Sequence, residues 1–260
     1  MRAPGRPKPK LVSLVIPVYN EARHLQEFLI AIDRAKFPIA KELIFIDDGS
    51  KDNSAEIIKN FRFRSKTIFI DQKQNQGKGA ALKKGIEAAT GDIIGIQDAD
   101  FEYEIADVNT ILKMMLDGGC EVVYGARFSK LNPQVHRTFH YLVNRLLTTL
   151  SNLLSGLYVR DMETCYKFFR REILQNIELK SKRFGFEPEI TAKIARLKIR
   201  VKEVPISYFP RNYMEGKKIT WKDGIAALWH LFYFNLILSK KKFFKSTMPT
   251  EFLTNKAQWL

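Results

Sequence analysis

Five short apolar runs alternate with amphipathic stretches between residues 11 and 125, and this alternation limits most strongly the folds open to the chain. The runs are LVSLVIPVY (11–19), ELIFID (42–47), KTIFID (66–71), DIIGI (92–96) and EVVYG (121–125). Such runs are typical of strands buried on both faces of a parallel sheet. Amphipathic helices are expected between them, near 21–35, 52–62, 79–89 and 105–116. The pattern predicts an α/β fold with a doubly wound, mostly parallel sheet.

The rest of the chain is less regular. Its patterns predict helices near 137–155 and 187–197, a strand at 199–209 and a helix from about 220, all lying over the edge of the sheet. At 260 residues and 45% hydrophobic composition, the chain can bury one large core. We therefore expect residues 11–125 and 126–235 to be two halves of one domain, with tails at 1–10 and 236–260.

Positive charge is concentrated outside the first half of the domain. The net charge is +15, but residues 11–125 hold 14 Lys and Arg against 18 Asp and Glu, which gives −4. Residues 126–235 hold 20 against 9, which gives +11, and the tails 1–10 and 236–260 carry +4 each. This distribution predicts an anionic partner: a nucleic acid, an anionic membrane or a phosphorylated substrate.

Several classes of site are excluded by the sequence. Two cysteines and four scattered histidines provide neither a disulfide framework nor a zinc site, which suits a reducing compartment. A phosphate-binding P-loop around Gly77-Lys78 would need glycine at 72 and serine or threonine at 79, where this chain has Gln72 and Gly79. No GxGxxG follows the first apolar run, which argues against a dinucleotide site.

Two segments bear on localisation. The N-terminal MRAPGRPKPK lacks the apolar region of a signal peptide. The longest apolar run, GIAALWHLFYFNLIL (224–238), has 15 residues, fewer than the ~20 that span a bilayer, and predicts a buried helix or one lying on a membrane surface. The tail SKKKFFKSTMPTEFLTNKAQWL (239–260), with Phe243-Phe244 among lysines, suggests either peripheral membrane attachment or a solvated tail.

Polar residues follow three of the predicted strands. They are Pro17, Tyr19 and Glu21 after the first run, Asp47 and Asp48 after the second, and Gln97, Asp98 and Asp100 after the fourth. Parallel α/β sheets bind ligands at the carboxyl ends of their strands, so we expect these residues to meet at one edge. Gly77-Lys78-Gly79 opens a helix whose first amides, together with Lys78, are candidates to support a nucleotide.

The carboxylates of GIQDADFEYE (95–104) repel one another unless a cation lies among them. Asp98, Asp100 and Glu102 are hard oxygen ligands without histidine or cysteine, a set that favours Mg²⁺ or Mn²⁺ over zinc. Such a metal binds through one or two carboxylates plus substrate phosphates. The pattern therefore favours a divalent metal held together with a phosphorylated ligand.

Taken in order, several motifs resemble family-2 inverting glycosyltransferases of the GT-A fold. The motifs are VSLVIPVYNE (12–21), FIDDGSKDNS (45–54), NQGKGAALKKGIEAATGD (75–92) and QDADFEY (97–103). Later segments resemble the branch that contains dolichyl-phosphate mannosyltransferases and bacterial polyprenyl-phosphate glycosyltransferases. These segments are YGARF (124–128), DMETCYKFFRRE (161–172), FGFEPEITAKIAR (184–196) and EVPISYFPRNYMEGKKITWKDG (203–224). The resemblance covers about residues 11–235.

The resemblance implies a nucleotide-sugar half at 11–125 and an acceptor half at 126–235. It implies that the nucleotide sugar is bound by Pro17, Tyr19, Glu21, Asp47, Asp48, Lys78, Gln97 and Asp98. It places the metal at Asp98, Asp100 and Glu102. The acceptor phosphate is assigned to Arg127, Arg137, Arg211 and Lys217, although His140 stands where the mannosyltransferases tend to have serine.

The implied reaction is metal-dependent, inverting transfer of a hexose from GDP-mannose or UDP-glucose to a polyprenyl or dolichyl phosphate at the cytoplasmic face of a membrane. A lipid phosphate has a second pKa of about 6, so it needs cationic positioning rather than a general base. A hydroxyl acceptor on a polysaccharide, lipid or protein would need a base, for which Asp161 is the candidate.

The partners expected are therefore a nucleotide sugar, a lipid phosphate and an anionic membrane surface to which a cytoplasmic protein attaches peripherally. A third alternative is a non-catalytic protein that binds anions or RNA. No RNA- or DNA-binding motif accompanies the basic residues, so no nucleic-acid partner is expected.

Overall fold

The computed structural model describes residues 7–118, 120–128, 138–183, 185–210, 221–239 and 242–253. Its strands are β1 (Leu11–Val18), β2 (Ala40–Asp47), β3 (Lys66–Asp71), β4 (Ile93–Ile96), β5 (Val122–Ala126), β6 (Lys167–Arg170) and β7 (Val201–Pro205). Its α-helices are α1 (Ala22–Arg34), α2 (Ser54–Asn60), α3 (Lys78–Ala88), α4 (Asp107–Leu116), α5 (Thr138–Ser155), α6 (Arg171–Leu174), α7 (Phe186–Ile194) and α8 (Trp221–Phe232). A π-helix, Tyr233–Ile237, continues α8.

The strands form one seven-stranded sheet in the order β3-β2-β1-β4-β6-β5-β7. All of its pairings are parallel except those of β6, which runs antiparallel to both β4 and β5. The α/β fold and the five strands predicted between residues 11 and 125 are confirmed. The predicted strand at 199–209 is shorter, and it lies in the sheet as β7 rather than over its edge.

Strand β6 was not predicted, although it lies in the middle of the sheet. It has only four residues, KFFR, and a run this short has no distinctive periodicity. Its position depends on close contact between two distant segments. A Cβ atom added to Gly95 of β4 would lie 2.2 Å from the Phe168 ring of β6, so glycine is needed where the two strands meet.

The C-terminal segment 242–253 packs against the body of the protein, which corrects the interpretation of this part of the tail as a solvated chain. Its contact with a membrane stays a prediction. Phe243 is 1% exposed, and its carbonyl accepts a hydrogen bond from the Glu178 amide at 2.9 Å. Phe252 is also buried, and Leu197 forms a β-bridge with Leu253. Residues 254–260 lie outside the described part of the chain. Phe243 therefore belongs to the hydrophobic core.

The helices of the second half form a layer around α7, all of whose residues are buried. Helices α5 and α8 both contact α7 and also contact each other. The apolar run 224–238 is thus a helix packed on the protein by one face. Within the described ranges, no helix combines the length and apolar character needed to cross a bilayer.

One buried carboxylate ties three strands of the sheet to the loop before β4. Glu42 of β2 is fully buried and accepts hydrogen bonds from the Ser13 hydroxyl, the Thr90 amide and the Gly91 amide. The Lys66 ammonium lies 2.7 Å from the same carboxylate. Burial alone would raise the pKa of Glu42, but Lys66 and the other donors lower it to about 2.

We predict that Glu42→Gln lowers the free energy of unfolding by about 2–3 kcal/mol near neutral pH, because the buried donors lose a charged acceptor. The folded-state pKa is depressed from 4.5 to about 2, so the advantage of the wild-type protein is present above pH 4.5 and shrinks as the pH falls toward 2. Urea unfolding at a series of pH values measures the difference. Glu56→Gln, at an exposed position of α2, is the control. A difference independent of pH would contradict this account.

Candidate active site

The loops that follow β1, β2 and β4 meet at one edge of the sheet, where the carboxyl ends of these strands lie; we call it the carboxyl edge. The three strands are neighbours, and the Gln97 amide after β4 donates to the Val15 carbonyl of β1 at 3.1 Å. The Asp48 amide after β2 donates to the Val18 carbonyl of β1 at 2.8 Å. The predicted nucleotide-binding residues from Pro17 to Gln97 therefore come from adjacent loops.

Side chains that follow β2 accept hydrogen bonds from the backbone of the loop after β1. The Ser50 hydroxyl accepts from the Asn20 amide at 3.0 Å, and the Ser54 hydroxyl accepts from the Glu21 amide at 2.9 Å. Asp52 accepts from the amides of Ala22 and Ser54, the first residues of α1 and α2. Asn20 itself has φ +51°, a left-handed conformation that is unusual for a residue other than glycine. These contacts determine where Glu21 lies at the carboxyl edge.

Asp47 and Asp48 are buried acids at the carboxyl edge. Asp48 accepts hydrogen bonds of 2.8 Å from the Gln72 side chain and from the amides of Gln76 and Gly77. Burial raises the pKa of Asp48. Asp47 Oδ1 and Gln72 Oε1 are buried without a hydrogen-bond partner in the described part of the chain. Two such acceptors at the ends of neighbouring strands fit a ligand that donates N–H or O–H groups.

Two amides at the start of α3 are engaged by the protein, and the support of a nucleotide by this helix stays a prediction. The Gly77 amide donates to Asp48, and the Ala80 amide donates to the Lys182 carbonyl at 3.0 Å. The helix also positions the Lys78 side chain. Its ammonium lies 3.0 Å from Asp98 Oδ2 and 3.4 Å from Glu187 Oε1.

Lys78 stays positively charged at the carboxyl edge. Burial would lower its pKa, but the carboxylate of Asp98, followed by other neighbours including Glu187, holds the pKa above the usual lysine value. Its charge lies beside the first of the three carboxylates predicted to hold a metal. The assignment of Lys78 to the phosphates of a bound nucleotide stays a prediction.

The DADFE loop separates its three carboxylates. Phe101 has φ +56°, which turns the chain between Asp100 and Glu102, and the Glu102 amide donates to Asp100 Oδ1 at 3.1 Å. The Glu102 carboxylate accepts from the Tyr208 hydroxyl at 3.0 Å. In the described ranges, no group of three or more potential ligands is arranged to hold a metal.

The donor set at this loop still fits the predicted metal. Asp98 and Asp100 supply hard carboxylate oxygens, and Mg²⁺ or Mn²⁺ binds through one or two of these plus phosphate oxygens and water. Such a site would be completed by the diphosphate of the ligand. The assignment of Asp98, Asp100 and Glu102 to the metal stays a prediction.

Arg127, which follows β5, forms a two-pronged ion pair with Asp161. Its Nε and a terminal nitrogen lie 2.7 and 2.8 Å from the two carboxylate oxygens, and its own amide donates to the same carboxylate at 3.1 Å. Asn144 of α5 adds a fourth hydrogen bond of 3.2 Å. Asp161 is fully buried, and the guanidinium stacks over the Tyr208 ring.

This pair makes Asp161 a weak base. Burial would raise the pKa of Asp161, but the charge and hydrogen bonds of Arg127 hold it below the ordinary value. A general base near neutral pH works best with a pKa close to the operating pH. The role predicted for Asp161 in activating a hydroxyl stays a prediction, and the observed contacts make it the residue that orients Arg127.

Three further acceptor-site predictions fall where the structure gives no description. Arg137, Arg211 and Lys217 lie outside the described residues, as does the side chain of His140. Their assignment to the acceptor phosphate stays a prediction.

The sequence interpretation missed Glu163 and Glu187 as site residues. Glu187, at the start of α7, reaches Lys78, and Glu163 lies in the segment between Asp161 and β6. Burial, together with the nearby charge of Glu187, raises the pKa of Glu163 to about 7. The available signal was charge: DMETCYK (161–167) places two acids shortly before a short apolar run and a lysine at its start.

Comparison with known proteins agrees with this geometry. The family model for glycosyl transferase family 2 matches residues 13–178. The chain belongs to this family. It is therefore an enzyme of the glycosyltransferase class with the GT-A fold, which confirms the family and the fold implied by the sequence and overturns the non-catalytic alternative.

Curated relatives share 29% identity with this glycosyltransferase. One is the dolichyl-phosphate beta-glucosyltransferase ALG5D of Trichomonas vaginalis, matched over 82% of this chain and 69% of the relative. Another is the undecaprenyl-phosphate 4-deoxy-4-formamido-L-arabinose transferase of Aeromonas hydrophila, matched over 86% and 66%. The fold is similar to glucosyl-3-phosphoglycerate synthase from Mycobacterium tuberculosis in complex with Mn²⁺, UDP and glucosyl-3-phosphoglycerate. That likeness has a TM-score of 0.64 and 20% identity and covers 88% of this chain and 81% of the synthase.

We predict that Asp161→Ala destabilises the enzyme by about 3–5 kcal/mol, because it leaves the Arg127 charge buried without its partner. Thermal and urea unfolding measure the loss. Asp71→Ala is the matched control, since Asp71 is 24% exposed and pairs with exposed Lys59 and Lys73. That change is expected to cost less than about 1 kcal/mol. Similar losses of stability in both variants would show that the buried ion pair contributes no more to the free energy of unfolding than the exposed one.

Proposed function

We propose that this glycosyltransferase moves glucose from UDP-glucose to a polyprenyl or dolichyl phosphate, with inversion at the anomeric carbon. Two of the relatives are named dolichyl-phosphate beta-glucosyltransferases, and a third is named an undecaprenyl-phosphate transferase. These names favour a lipid phosphate as acceptor and, of the two donors considered, UDP-glucose over GDP-mannose. The enzyme is expected to act at the cytoplasmic face of a membrane.

The Arg127–Asp161 pair is the observation that carries the choice of acceptor. It presents a fixed cation at the site and keeps the neighbouring carboxylate a weak base. A hydroxyl nucleophile needs a base, whereas a phosphate monoester is already ionised near neutral pH, with a second pKa of about 6. A fixed guanidinium is what such an acceptor requires, because it binds the anion and orients its oxygen toward the sugar.

The donor would lie across the carboxyl edge. Asp47 and Gln72 offer buried acceptors to the nucleoside, and Lys78 meets the diphosphate from the start of α3. We assign the divalent metal to Asp98 and Asp100, with Glu102 beside them; when bound, Mg²⁺ or Mn²⁺ supplies charge stabilisation to the departing diphosphate. The acceptor then approaches the sugar from the side opposite the diphosphate.

A membrane surface is the proposed partner of the outer face formed by α5 and α8. On α5, Leu142, Leu146 and Leu153 are 56–75% exposed, and on α8 and its π-helical continuation Ile225, Trp229, Phe232 and Leu236 are 42–64% exposed. Both sets follow helical spacing, and both helices pack on α7 by their other faces. The +11 charge of residues 126–235 complements anionic headgroups. A lipid acceptor would reach the site from this layer.

We expect the purified enzyme to label a short polyprenyl phosphate from radiolabelled UDP-glucose in the presence of Mn²⁺, with the label recovered in organic solvent. GDP-mannose is the comparison donor. Asp100→Ala is expected to reduce the rate by at least ~10²-fold, the loss typical of one electrostatic stabiliser. Full metal-dependent turnover in this variant would remove Asp100 from the site. Transfer only to a hydroxyl acceptor would overturn the lipid-phosphate assignment.

For the membrane face, we predict that the double variant Trp229→Glu, Leu236→Glu binds vesicles rich in phosphatidylglycerol at least ~10-fold more weakly than the wild type. Vesicle flotation measures the bound fraction. Asn60→Glu adds an acid at an exposed position of α2, on the opposite half of the sheet, and is expected to change little. Undiminished binding by the double variant would exclude this face as the contact.

A further inference from the structure

A short segment, Asp161–Cys165, connects the two sides of the candidate active site; we call it the bridging segment. At one end, Asp161 binds Arg127, the proposed acceptor cation. At the other end, the Cys165 amide donates at 2.9 Å to the Tyr103 hydroxyl, in the loop after β4 that also carries Asp98. The segment therefore spans the distance between the acceptor side and the diphosphate side.

Lys167 of β6 hydrogen bonds to the backbone of the bridging segment. This lysine is fully buried, and its ammonium donates to the carbonyls of Met162, at 2.8 Å, and Thr164. These two carbonyls flank Glu163 on either side. Burial lowers the pKa of Lys167 to about 8, against the pull of nearby carboxylates including Glu187. The backbone on both sides of Glu163 is therefore hydrogen bonded to Lys167.

Glu163, at the middle of the segment, has a polar atom without a partner. Its Oε1 is buried and accepts no hydrogen bond within the described ranges. Leaving such an acceptor unpaired costs about 1–3 kcal/mol, which a ligand recovers if it donates a hydrogen bond there. In the same segment the Thr164 hydroxyl is also buried without a partner among the described residues, whereas Asp161, Met162 and Cys165 bind groups of the protein.

The position of Glu163 indicates which part of a ligand meets it. Along the chain it lies between Asp161, which binds Arg127, and Cys165, whose amide donates to the Tyr103 hydroxyl of the loop after β4 at 2.9 Å. In a transfer reaction the sugar lies between the diphosphate and the attacking acceptor. The hydroxyls of the sugar are therefore the donors that come nearest to Glu163.

We propose that Glu163 accepts a hydrogen bond from a hydroxyl of the transferred hexose and so selects the sugar of the donor. The inference rests on the proposed use of a nucleotide sugar, but not on the identity of the acceptor. Carboxylate acceptors discriminate strongly between sugars, because a donor that lacks the hydroxyl, or presents it elsewhere, leaves the buried oxygen unpaired.

The test compares equilibrium binding of UDP and UDP-glucose, with Mn²⁺ and without lipid, by isothermal titration calorimetry; GDP and GDP-mannose form a second pair. We expect Glu163→Ala to weaken UDP-glucose binding at least ~10-fold, and Glu163→Gln to weaken it less, while UDP binding is unchanged. Glu172→Gln, at an exposed position of α6, is the matched control. Removing an unpaired buried acceptor is not expected to lower the melting temperature.

Deoxy analogues of UDP-glucose identify the hydroxyl. In the wild type, one analogue is expected to bind more weakly than UDP-glucose. In Glu163→Ala this difference is expected to vanish, because the hydroxyl and the carboxylate are the two partners of one hydrogen bond. The proposal is overturned if, for every analogue, the loss of affinity from the missing hydroxyl simply adds to the loss from Glu163→Ala. Unchanged donor affinity with a collapse of the transfer rate, which is the signature of a general base, would also overturn it.

The outcomes separate this inference from the proposed function. If the wild type binds UDP-glucose and the Glu163 variants bind it equally well, only the role of Glu163 is overturned. If binding depends on Glu163 but no lipid phosphate is labelled, only the acceptor is wrong. A wild type that binds neither sugar nucleotide overturns both.

Discussion

The antiparallel pairing of β6 with β4 and β5 is the interaction on which the site depends. Every other pairing in the sheet is parallel. Strand β6 instead enters between two parallel neighbours and draws the segment before it across the carboxyl edge. That segment carries Asp161, Glu163 and Cys165 to a position between the loop after β4 and the loop after β5. Without the insertion, the donor side and Arg127 would belong to separate surfaces.

Acidic and basic side chains line the site in a low-dielectric environment. From the diphosphate side to the acceptor side they are Asp98, Lys78, Glu187, Glu163, Arg127 and Asp161. Burial strengthens each interaction and makes an unbalanced charge costly. Lys78 and Arg127 have fixed partners and keep their charge, whereas Glu163 has a raised pKa and an unpaired oxygen. Under the proposed function, Lys78 would meet the anionic donor and Arg127 the anionic acceptor.

The same layer of helices that covers the second half of the sheet gives the protein its apolar face. Helices α5 and α8 bury one side against α7 and leave leucines, a tryptophan and a phenylalanine exposed on the other. Asn144 of α5 also hydrogen bonds to Asp161, so the helix that would meet the lipid also touches the acceptor pair. The proposed lipid surface and the reaction site are thus connected through one helix.

The sequence by itself determined the local elements and the composition of the carboxyl edge. Apolar runs and helical periodicity are properties of neighbouring residues, so the five strands of 11–125, their helices and the acids after β1, β2 and β4 were predictable. The order of motifs also identified the family. What only the tertiary structure decided depends on contacts between distant residues: the insertion of β6, the burial of Phe243 against the chain near Glu178, the ion pair of Arg127 with Asp161 and the unpaired oxygen of Glu163. A carboxylate has the same letter in every setting, and its partner and its burial, which decide its chemistry, are established only when the chain has folded.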